Sequence, residues 1–96
     1  MTEVDRLPSC VHVLISGRVQ GVGYRYNTYR QARQLSVKGW VQNLKDGRVE
    51  AWFEGDADDL QSMLRWCEGG PLSAKVESVI AEAANATGFE DFKIRR

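Results

Sequence analysis

Ninety-six residues close one hydrophobic core and leave nothing for a second, so a single domain over residues 10–96 is expected behind a flexible N-terminal segment, residues 1–9. An apolar fraction of 43% beside 27% charged residues is ordinary for a globular protein, and no stretch approaches the roughly 18 apolar residues of a membrane span. Thirteen Lys and Arg balance thirteen Asp and Glu, which excludes a global field for nucleic acid or an anionic membrane and makes any anion site local.

The opening MTEVDRLPSC carries acids and a proline where a signal peptide needs an apolar core, so a cytoplasmic location is expected. CVHVLIS, Cys10 to Ser16, sets Val11, Val13 and Ile15 against His12, Leu14 and Ser16, and this period of two predicts a buried strand. Gly17, Gly21 and Gly23 then interrupt the chain within ISGRVQGVGYRYN. After them YRYNTYRQARQL places Tyr24, Thr28, Ala32 and Leu35 at helical spacing, an amphipathic helix beginning near Gly23. VKGWVQN and RVEAWFE read as strands, and Asp46-Gly47 between them predicts an antiparallel hairpin, because both positions tolerate positive φ.

DADDLQSMLRWCEGGP offers Asp56 as an N-cap, spaces Leu60, Met63, Leu64 and Cys67 at i, i+3, i+4 and i+7, and stops at Gly69-Gly70-Pro71. AKVESVIAEA is a further strand, NATG a turn, and FEDFKIRR adds a short terminal strand through Phe92 and Ile94. The order β-α-β-β-α-β is the split βαβ arrangement. It predicts an α+β, ferredoxin-like sandwich: an antiparallel sheet with two helices on one face.

Cys10 and Cys67 lack CxxC spacing and a histidine at ligand distance, so no metal site is expected and two buried reduced thiols are the favoured reading. The topology is expected to bring the Cys67 end of the second helix near the start of the first strand, which keeps a disulfide open. Ser-His-Asp catalysis is disfavoured, since the lone histidine, His12, lies inside a strand. Asp56, Asp58 and Asp59 read as a helix start exploiting the dipole. Asn85-Ala86-Thr87 matches a glycosylation acceptor formally, with no secretory signal to support it.

What remains is the glycine loop. It spans a strand-to-helix junction, where amides of residues 19–25 can converge at a helix N-terminus, with Arg25 in the first turn. A guanidinium beside such amides suits a small tetrahedral anion. No GK[ST] follows as in a Walker A loop, and the third glycine of a dinucleotide fingerprint is missing. On their own the glycines read equally as turn formers. Asn43 alone reads equally as a residue preceding the hairpin turn, and Arg18 as rim potential or a solvated charge.

ISGRVQGVGYR, Ile15 to Arg25, followed by GWVQNLKDGRVEAWFEG, Gly39 to Gly55, resembles the acylphosphatase family. The resemblance runs from Cys10 onward and includes GGP after the second helix and the terminal FKI. Tyr24 stands where the first motif usually has phenylalanine. The resemblance implies hydrolysis of a carboxylic-phosphoric anhydride to a carboxylate and orthophosphate, without a cofactor. It assigns phosphate binding to Arg25 and the loop Val19, Gln20, Gly21, Val22, Gly23 and Tyr24, and water orientation to Asn43. Chemistry agrees with it: an acyl phosphate has a good leaving group, so the protein need only hold the phosphoryl oxygens and place a water in line. The substrate's own phosphate oxygen then takes the proton, a route the resemblance also suggests.

Two other readings compete. The same topology serves non-catalytic phosphate or small-ligand binding modules, although GRVEAWFE lacks the aromatic pattern of an RNA-recognition strand. Hydrogenase maturation proteins also carry a domain resembling this family inside a carbamoyl-transfer machine, against which a free chain of this length is expected to argue. The expected partners are therefore a small acyl phosphate and inorganic phosphate, with no nucleic acid, no membrane and a monomeric chain.

Overall fold

The computed structural model describes residues 9–96, so the segment expected to be flexible lies, apart from Ser9, outside the described residues. The elements are β1 (Cys10–Arg18), α1 (Tyr24–Gln34), β2 (Lys38–Asn43), β3 (Val49–Glu54), α2 (Ala57–Gly69), β4 (Lys75–Ala83) and β5 (Phe92–Ile94). The strands form one sheet in the order β4-β1-β3-β2-β5.

The period-two pattern decides which face is covered. Val11, Val13 and Ile15 of β1, Val41 of β2 and Val49, Ala51 and Phe53 of β3 are buried under the helices. Their alternating neighbours His12, Trp40, Glu50 and Trp52 occupy the other face, where Trp40 and Trp52 stack at 6.3 Å and His12 Nε2 lies 2.7 Å from Glu50 Oε2. His12 is thus a sheet residue, as its setting predicts. From α1, Tyr24, Thr28 and Ala32 complete the core; from α2, Leu60, Met63 and Cys67 do so. The buried Thr28 hydroxyl is satisfied by donating to the Tyr24 carbonyl one turn back, at 2.7 Å.

The sheet is mixed, which corrects the expectation of a wholly antiparallel one. β1 pairs antiparallel with β3 and β4, and β2 with β3, but β5 runs parallel to β2. The cause is geometric. β4 runs opposite to β2 at the far edge, so a chain that crosses the sheet end after β4 and turns back must climb beside β2 in the same direction. Glu54 secures that crossing: Thr87 N and Oγ1 donate to Oε2 at 2.7 and 2.9 Å, and Gly88 N and Phe89 N to Oε1 at 3.0 and 3.2 Å.

The placement of the cysteines is also corrected. β3 is antiparallel to β1, and α2 returns antiparallel to β3, so α2 runs with β1 and its end lies at β1's far end. Cys10 pairs in register with Glu54, while Cys67 sits against Tyr24; β1, at roughly 3.3 Å per residue, separates them. Both thiols are free and fully buried. Burial pushes the Cys67 thiol up to about 12; burial and then Glu54 push Cys10 up to about 11.

Candidate active site

The loop between β1 and α1 begins at a register shift between Ser16 and Gly17 in the β1–β4 ladder. A Cβ at Gly17 would collide with the Lys75 carbonyl oxygen, so only glycine lets the two strands approach here. The loop ends at Gly23, the N-cap of α1, in the left-handed region at φ 81° and ψ 15°. Among the described residues no side chain caps this helix, and its first turn carries no acidic residue, which leaves the positive end of its dipole uncompensated there.

The residues between divide into anchors and lining. Val19 is buried at 1% exposure, and Val22 packs against the core. Gln20 turns its side chain away from the loop: its amide donates to the carbonyls of Leu44 at 2.7 Å and Arg48 at 2.9 Å, on either side of the β2–β3 turn. Tyr24, at 1% exposure, donates its hydroxyl to the Cys67 carbonyl at 2.7 Å and tilts against Trp66 at 5.5 Å. The loop is therefore tied on one side to the hairpin that carries Asn43 and on the other to the end of α2.

Between these ties lies an open cleft of about 280 Å³, lined by Val19, Gly21, Gly23, Tyr24, Arg25, Tyr26, Asn43, Ile94 and Arg96. Arg25 Nη1 donates to the Arg95 carbonyl at 3.3 Å, a bond to a neutral acceptor that leaves the rest of the guanidinium fork available. Asn43 ends β2 on the helix side of the sheet, two residues beyond Val41. Its Oδ1 is buried and has no hydrogen-bond donor among the described residues. An unpaired buried acceptor costs about 1–3 kcal/mol, and on a cleft wall it is open to a donor that enters the cleft.

Of the residues singled out from sequence, Arg25 and Asn43 meet at this cleft with Gly21, Gly23 and the ring of Tyr24, while Gln20 and Val22 are behind it. Arg18 is exposed opposite Lys75 and does not line it. Tyr26, Ile94 and Arg96 line the cleft without a signal of their own in the sequence; Tyr26 is readable only as the residue after Arg25, and the other two arrive through the parallel pairing of β5. Among the described residues no carboxylate or imidazole lines the cleft, and no three His, Cys, Asp or Glu cluster to hold a metal ion.

Comparison with known proteins identifies the family of the chain. Residues 11–94 match the family model described as Acylphosphatase. The chain is 51% identical over 86 residues to the acylphosphatase of Trichormus variabilis, covering 90% of this chain and 85% of that one. It is 53% identical over 85 residues to the acylphosphatase of Natronomonas pharaonis, covering 88% and 92%. The structure of an acylphosphatase from Coxiella burnetii superposes with a TM-score of 0.89 at 36% identity, over 99% of this chain and all of that one.

Proposed function

The chain belongs to the acylphosphatase family and hydrolyses acyl phosphates to a carboxylate and orthophosphate, and from that premise we propose how its residues divide the work. Arg25 and the amides of the loop from Val19 to Arg25 hold the phosphoryl group at the N-terminus of α1. Asn43 orients the attacking water. Water adds at phosphorus in line with the acyl oxygen, the P–O bond to the acyl group breaks, and the carboxylate leaves with the bonding pair. The proton of the water passes to a phosphate oxygen, since the cleft wall offers no carboxylate or imidazole among the described residues to take it.

The observation that carries this reading is the orphaned Oδ1 of Asn43 on the same wall as Arg25. A carboxamide oxygen accepts from a water and its amide donates, which fixes direction without acting as a base. The balance of charge in the chain and the small cleft support a small-molecule substrate without nucleic acid; no helix of the described residues is long and apolar enough to cross a membrane.

The test is the kinetic split of Asn43→Ala. The variant is expected to fold and to retain competitive inhibition by inorganic phosphate, while kcat falls by roughly two to three decades. Loss of phosphate inhibition with kcat preserved would reverse the two roles.

A further inference from the structure

Gly23 begins α1 without a side chain, so nothing at the N-cap competes for the first amides of the helix. The polar group at this junction comes instead from one turn inside. The Asn27 backbone N–H donates to the Gly23 carbonyl at 3.0 Å, the ordinary first bond of the helix, and Asn27 Nδ2 donates to the same oxygen at 2.8 Å. One residue thus takes both lone pairs of that carbonyl. A Cβ at position 23 would stand 3.3 Å from Asn27 Nδ2 and crowd the amide, so glycine leaves room for this approach.

In a trans peptide the Gly23 carbonyl and the Tyr24 N–H point in opposite directions within one plane. Drawing the carbonyl down the helix axis aims the Tyr24 N–H, which has no intrahelical acceptor, out of the helix end, where Gly23, Tyr24 and Arg25 line the cleft. Gly23, lacking a Cβ and sitting at φ 81°, places little steric limit on the tilt of this plane. Two donors on the carbonyl restrict that tilt more than one, and they polarise the peptide so that its N–H binds an anion more strongly. The second donor is neutral, and the first turn of α1 carries no acidic residue to repel a phosphoryl group.

Resting on the assignment of the phosphoryl group to this loop, we propose that Asn27 is a positioning residue for phosphoryl binding. It acts through the Gly23 carbonyl on the Tyr24 N–H, without touching the substrate.

The experiment measures the inhibition constant of inorganic phosphate, kcat/KM for benzoyl phosphate and Tm in the wild type, Asn27→Ala and Asn27→Ser. Serine can donate to the carbonyl four residues back, as Thr28 does to that of Tyr24. Asn27→Ala should raise the phosphate constant and lower kcat/KM by about three- to tenfold each, the range of one hydrogen bond, and Asn27→Ser should restore both. Alanine is the better helix former, so Tm without phosphate should hold or rise in Asn27→Ala while binding weakens. A phosphate constant unmoved by Asn27→Ala, or weakened binding that comes with a fall in Tm and is not repaired by serine, would overturn the role and leave Arg25 and the loop in place. A wild type that phosphate does not inhibit would overturn the phosphoryl assignment itself.

Discussion

The Tyr24 hydroxyl donates to the Cys67 carbonyl at 2.7 Å, and the residue four positions beyond Cys67 is Pro71, which has no N–H to offer that carbonyl. The side chain that opens α1 thus replaces the missing donor at the end of α2, and couples the glycine loop to the second helix. Burial, followed by the charge and hydrogen bond of Cys67, pushes the Tyr24 phenol above its ordinary range, so the donor persists across working pH.

Tyr24→Phe keeps the ring against Trp66 but strands a buried carbonyl. The expected result is a loss of about 1–2 kcal/mol in urea denaturation with phosphate binding retained. An unchanged midpoint would show that the hydroxyl does not support α2.

Gln20→Ala removes the tie between the loop and the hairpin. Leu44 and Arg48 keep other partners, since Gly47 N donates to the Leu44 carbonyl and Leu44 N to that of Arg48, so stability should fall by only about 1 kcal/mol. Turnover should fall by about tenfold or more, because the loop and Asn43 lose their fixed separation. A kcat equal to the wild type's would contradict that positioning role.

Glu54 predicts the acid limit of stability. Burial pushes its carboxyl up, but hydrogen bonds from Thr87, Trp52 and Gly88 outweigh burial and hold it at about 2, below its usual 4.5. A carboxylate with a depressed folded-state pKa stabilises above its unfolded value and loses that contribution as pH falls. The wild type should therefore lose about 3 kcal/mol between pH 4.5 and 2 from this group. Glu54→Gln should be less stable at neutral pH and show a shallower acid slope; an unaltered slope would assign the acid lability elsewhere.

The pattern of legibility follows the range of each interaction. β1, α1 and the β2–β3 hairpin are written locally, in the alternation of Val11, Val13 and Ile15, the spacing of Tyr24, Thr28 and Ala32, and Asp46-Gly47. Arg25 and Asn43 are singled out by the family resemblance, and their meeting at one cleft follows from their places at the start of α1 and the end of β2. The direction of β5, the grip of Glu54 on Thr87–Phe89 and the Gln20 tie are not written locally, since they join residues more than twenty positions apart with no shared periodicity. The misplaced end of α2 has the same origin: spacing identifies a helix but not which end of the sheet it reaches.

The division of labour stands or falls with Arg25. Melting curves of the wild type and Arg25→Ala should be recorded in rising inorganic phosphate, because a ligand that binds only the folded state raises Tm by mass action. The wild type should gain Tm with phosphate while Arg25→Ala gains none, and the variant's kcat/KM should fall by about two to three decades. Equal phosphate protection of both proteins would contradict the assignment of the phosphoryl group to Arg25 and its loop.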